Sequence, residues 1–172
     1  MACNSIISVP AGSCENNSGG IFIAYIVDQD SVSATTVVSS AWTVTNIGLV
    51  GGDLFQEFNF RRNVGNTTST PTIDLVNGST FYQNNITLAF HRREASKSRA
   101  LNILGEGQRY LSIIIKDAND KYWYYPYMQL NGGDETSGTA RADGSKYEVT
   151  FTGEDSNRSY EVDSSIIASI VA

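Results

Sequence analysis

Charge is scarce in this chain. Only 17% of its 172 residues are Asp, Glu, Lys or Arg, below the ~25% usual for soluble domains, and Ser, Thr, Asn and Gly fill the difference. A neutral-polar surface is cheaper to strip of water than an ionic one, so it fits a protein that buries much of its outside against partners. Histidine is scarcer still. His91 stands alone, so any Ser-His-Asp or Cys-His catalysis would have to pass through it, and its mid-strand place beside Phe90 reads as a core-edge or solvated residue. The two cysteines, Cys3 and Cys14, are too few for a disulfide framework and are expected as reduced thiols. With His91 they lack the close paired spacing of a zinc site. No segment reaches the ~18 apolar residues of a membrane helix, and the N-terminus lacks the basic and apolar regions of a secretory leader. Synthesis in a cytoplasm is the expectation. Five Asn-x-Ser/Thr triplets are what an Asn-, Ser- and Thr-rich chain produces by composition, without glycosylation.

The charge that exists is unevenly placed. Residues 1–60 carry Glu15, Asp28, Asp30, Asp53 and Glu57 and no Lys or Arg, a net of −5. Residues 61–116 set eight bases against Asp74, Glu94 and Glu106, a net of +5, and residues 117–172 return to −6. Two readings account for this: sheet geometry within one monomer, or head-to-tail contact in which one face of a subunit meets a different face of its neighbour.

Length suits a single domain. Residues 1–20 show no helical period and read as an N-terminal arm, followed by one domain over residues 21–172. Ile21–Val27, Val32–Val38 and Ala41–Ile47 have strand composition. Leu54–Arg62 and Thr80–Arg92 alternate with the two-residue period of strands. Between them, residues 63–79 are a long polar loop or a hairpin tip. Residues 96–105 form the one helix, with Ser96 as cap and Gly105 where a left-handed C-terminal residue is expected. Gln108–Lys116, centred on Ile113, Ile114 and Ile115, is a strand that the turn Asp117–Asp120 reverses into Lys121–Tyr127. The meander continues through a turn at Asn131-Gly132-Gly133, a strand Gly138–Ala142, a turn at Asp143-Gly144 and a strand Lys146–Thr152. Residues 163–172 close the chain as a short apolar strand or arm. The expected fold is mainly β: an antiparallel sandwich or barrel with one short flanking helix and extended terminal arms.

Chemistry finds little to work with. Asp117–Asp120 lacks the glycine and distant glutamate of a calcium loop. Glu154-Asp155 and Asp134-Glu135 are adjacent pairs whose side chains point to opposite faces of a strand. Gly105-Glu106-Gly107 lacks the preceding strand and following helix of a phosphate loop. No catalytic residue, metal or cofactor is expected. Arg61, Arg62, Arg92 and Arg93 could touch phosphates, but net acidity opposes nucleic-acid affinity at physiological salt. Tyr122, Trp123 and Tyr124 are read as core or interface aromatics. These seven residues are the candidate subunit interface.

The order of features resembles the tail tube and tail hub proteins of tailed bacteriophages. The resemblance runs over most of the chain after residue 19. It rests on Gly19-Gly20-Ile21-Phe22-Ile23-Ala24-Tyr25, on Phe58-Asn59-Phe60 and on the helix around Ala100–Gly105. The hairpin of Ile113–Asp117 with Tyr122-Trp123-Tyr124, and the run Tyr147-Glu148-Val149-Thr150-Phe151-Thr152-Gly153, complete it. It implies a virion structural protein made in the host bacterial cytoplasm, with copies closing into a hexameric or dodecameric ring around a channel that passes double-stranded DNA. Arms and long loops would meet the next ring, and other tail or connector proteins would be partners. Carboxylates should outnumber bases on the channel wall, since a basic wall would hold the duplex. The alternatives are a head-tail connector ring, a capsid decoration or head-fibre protein, and a carbohydrate-binding module built around Trp123.

Overall fold

The run Ile113–Ile115 lies at the centre of the molecule, and all three residues are buried. A strand covered on both faces reads as a continuous apolar run, because neither side of its alternation meets water. The computed structural model describes residues 6–10, 12, 17–61 and 64–172. Along the chain it forms β1 (Ile21–Asp28), β2 (Val32–Val38), β3 (Thr43–Leu49), β4 (Gln56–Asn59), β5 (Gly65–Asp74) and β6 (Ser79–His91). Helix α1 (Ala95–Gly105) follows, then β7 (Leu111–Asp117), β8 (Tyr122–Thr136), β9 (Lys146–Asp155), β10 (Tyr160–Val162) and α2 (Ser164–Ile170).

The strands make one curled sheet. One ladder runs β2-β3-β10-β8-β7-β1-β4, and a second runs β5-β6-β9-β8. Strand β8 belongs to both: its residues up to Met128 pair with β7, and those from Gln129 onward pair with β9. Among the strand ladders of the described residues only β10 against β3 is parallel, beside an isolated parallel bridge of Phe55 to Val171. The mainly β architecture expected from the sequence is therefore present, as a half-barrel.

Alternation along the central strands feeds two cores. Ala24, Ile26, Ile113, Ile115 and Tyr125 face the hollow of the curl, where they meet Ile86, Leu88 and Phe90 of β6, Val149 and Phe151 of β9, and Leu101 and Leu104 of α1. Tyr25, Val27, Ile114 and Tyr124 face the other way, onto Val44, Ile47, Phe55 and, from α2, Ile167 and Ile170. Burial pushes the phenols of Tyr25 and Tyr124 above their ordinary value; Tyr124 is anchored to Ser112 Oγ at 3.0 Å.

Four local readings are corrected. The C-terminal segment is the helix α2 rather than a strand or arm: Asp163 caps it by accepting from the Ser165 amide at 2.9 Å, and Ile167 and Ile170 are one helical turn apart. Ser96 does not cap α1, whose N-cap position is Glu94, and Gly105 is right-handed at φ −92°; left-handed backbone follows at Gly107 and Gln108, at φ 67° and 51°. Asn131-Gly132-Gly133 is not a turn but part of β8. A Cβ at Gly133 would lie 2.5 Å from the Glu148 carbonyl, so glycine there lets β9 approach closely. Residues 138–142 form no strand, because the Asp143 carboxylate accepts from the amides of Thr139 and Ala140 at 2.9 and 2.8 Å and closes a loop.

Candidate functional site

From Gly65 onward the polar stretch 63–79, expected as a long loop or a hairpin tip, is a hairpin. Strand β5 pairs with β6 from Gly65↔Leu88 to Asp74↔Ser79, whereas β9 pairs with β6 only as far as Tyr82. The last residues of the hairpin and its turn therefore run past the neighbouring strand. Asp74 builds that turn, accepting from the amides of Val76 and Asn77 at 2.9 and 3.1 Å. These bonds, led by the one from the Asn77 side chain, hold its carboxyl below the usual carboxylate range. On this ordered turn Leu75 and Val76 are 91% and 93% exposed, with Ile73 beside them at 60%.

A second apolar feature lies elsewhere. Between α1 and β4 opens a groove of about 680 Å³, with Phe58, Phe90 and Leu104 in its lining and the partly exposed Leu54 and Ile103 bordering it. Phe58 and Phe60 both meet the Phe90 ring edge-on, at 6.2 and 5.8 Å. Asp28, Asp53, Glu57, Lys97 and Arg109 also line the groove. Among the described residues, β2, β4 and β5 each have a strand neighbour on one side only, which leaves backbone donors and acceptors free for pairing.

The residues singled out from the sequence are dispersed. Arg61 is exposed after β4. Arg62, Cys3 and Cys14 lie outside the described residues. Arg92 sits at φ 65°, where the chain leaves β6 for α1, and pairs with Glu94 at 3.2 Å. Arg93 pairs with Glu135. Tyr122 and Tyr124 face the core that holds α2, whereas Trp123 packs on the opposite core. Tyr124 is 3% exposed. The His91 carbonyl accepts from Lys97 Nζ at 2.9 Å, and among the described residues no three His, Cys, Asp or Glu side chains converge.

The uneven charge also has an internal use. Arg109–Asp28 at 3.2 Å, Lys116–Asp120 at 2.9 Å and Arg93–Glu135 join the basic middle of the chain to both acidic ends within one monomer. Sequence reasoning missed the groove and the apolar pair at the hairpin tip. Leu75-Val76, an adjacent apolar pair inside a polar stretch, was the available signal for the tip; the groove arises only when α1 is laid beside β4.

No protein family profile matches this chain, and no curated protein does. Solved structures that resemble it include the following two. A chain in the virion of a native gene transfer agent particle has a TM-score of 0.37 and 12% identity, over 87% of this chain and 100% of that one. A chain in the anti-feeding prophage baseplate, determined by cryo-electron microscopy with six-fold symmetrisation, has a TM-score of 0.39 and 9% identity, over 87% of this chain and 97% of that one.

Proposed function

We propose that this protein is a non-enzymatic structural component of a phage-type virion tail, a tube or hub subunit that closes into a ring with copies of itself around a channel for double-stranded DNA. The observation that carries the reading is the β5–β6 hairpin, which holds Leu75 and Val76 on an ordered turn with more than nine-tenths of each exposed. Apolar residues held out into water on a preformed turn fit a surface that is covered in an assembly. The sequence resemblance to tail tube and hub proteins supplies the kind of assembly. An excess of acids, 18 against 12 bases, suits a wall that DNA slides past.

Negative-stain imaging of the purified protein tests this. Rings or tubes with a central hole and six-fold or twelve-fold symmetry are expected. Monomers that bind capsids would favour the decoration reading instead. The carbohydrate reading built on Trp123 meets a ring packed on the core, with its indole N–H donated to Asp117 Oδ2 at 2.9 Å; glycan binding lost in a folded Trp123→Ala protein would revive it.

A further inference from the structure

We infer that the apolar tip of one copy's β5–β6 hairpin seats in the groove between α1 and β4 of another copy. The inference rests on the assembly reading above and names the contact that makes it.

The two features match in chemistry. Ile73, Leu75 and Val76 form the tip, and Phe58, Phe90 and Leu104 line the groove. At about 680 Å³ the groove lies within the ~300–1,000 Å³ of sites that enclose drug-sized ligands, room for two or three aliphatic side chains. The only charge at the tip is Asp74, and its carboxylate is occupied by amides of its own turn. The groove sets its apolar lining among Asp28, Asp53, Glu57, Lys97 and Arg109, as protein interfaces mix apolar and charged groups. Because Asp74 already orders the turn, seating it costs little conformational freedom. Three apolar side chains are far fewer than the ~20–30 residues that each partner contributes to a standard interface. The tip is an anchor, and other surfaces complete the contact.

Geometry excludes a contact within one molecule. Ser79 at the tip and Phe90 in the groove lie on the same continuous strand. At ~3.3 Å per residue their separation is about 36 Å, so a chain's own tip cannot bend back into its own groove. Plug and socket on different surfaces make a head-to-tail contact, which closes into a ring or runs on as a filament.

The test uses the full chain with Cys3→Ser and Cys14→Ser. A protein carrying both Leu75→Cys and Ile103→Cys is expected, on mild oxidation, to give a ladder of covalent dimers, trimers and higher species on non-reducing gels, whereas each single-cysteine protein stops at dimers. Leu75→Asp with Val76→Asp is expected to keep the wild-type melting curve below the concentration at which the wild type assembles, since both positions are exposed in the monomer, and to raise the concentration needed for assembly at least tenfold. If the wild type forms no oligomer, the assembly reading itself fails. If the wild type assembles but the aspartate variant assembles equally well, or the ladder appears with Ile7→Cys and Ile103→Cys in place of Leu75→Cys and Ile103→Cys, the tip is not the occupant and this inference falls alone.

Discussion

The indole N–H of Trp123 donates to Asp117 Oδ2 at 2.9 Å across the turn between β7 and β8. The other oxygen of the same carboxylate accepts from the amides of Asn119 and Lys121 at 2.8 and 3.0 Å. One side chain thus closes the turn and fixes the ring that packs on the core beneath it. Asp117→Ala removes both acceptor oxygens and all three bonds and is expected to lower unfolding stability by about 1–3 kcal/mol, read by urea denaturation. Trp123→Phe keeps the turn and gives up one bond, so its loss should be smaller.

Two glycines on paired strands should respond unequally to the same change. A Cβ at Gly153 would meet Met128 Sδ at 2.6 Å and the Tyr127 carbonyl at 2.9 Å, whereas one at Gly132 meets nothing within 4 Å. Gly153→Ala is expected to cost about 1–3 kcal/mol through overpacking. Gly132→Ala should be close to neutral. Equal melting temperatures for the two variants would contradict this.

Strong acid should loosen the start of α2. The amide and hydroxyl of Ser165 hold the Asp163 carboxyl below the ordinary carboxylate range. A depressed native value means the cap stabilises above the unfolded value, ~3.9, and its contribution fades as pH falls through the lower native one. The Ser165 amide resonance should therefore shift in that acid window, while Asp163→Asn, which caps without titrating, should abolish the shift.

Ser69 and Asn84 stand opposite each other in the β5–β6 ladder, and Ser69 Oγ and Asn84 Oδ1 are both buried without a hydrogen-bond partner. A buried polar atom with no partner carries its desolvation cost uncompensated. Asn84→Val should leave stability unchanged or raise it by up to about 1 kcal/mol, measured by thermal unfolding. A large loss would mean that the amide is satisfied by an ordered water.

What could be read in advance follows the physics of burial. Ile113–Ile115, Val32–Val38 and the alternation of Ile86, Leu88 and Phe90 are local signals, and all three lie in the strands expected. Gly132 and Gly133 misled, because a glycine that permits close backbone approach has the same letter as one that permits a turn. Strand β10 was not anticipated at all: Tyr160–Val162 is a three-residue strand whose only reason to be extended is the pair of strands beside it. The burial of Tyr124 is of the same kind. Tyr124 lies in a core because α2 and Phe55 cover that face of the sheet, a fact of tertiary packing that no window of sequence contains.

That short strand also sets a timetable. Within the ladder, β3 has β2 on one side and β10 on the other, so the early hairpin reaches β8 only through residues near the end of the chain. During synthesis the hairpin of Val32–Val38 and Thr43–Leu49 must wait for Tyr160–Val162 before its backbone can join the sheet. Closing so long a loop is slow, and until then one margin of each partner is open to wrong pairing. In refolding, protection of the Val44 amide should therefore arrive last, in step with that of Val162 and well behind Ile114.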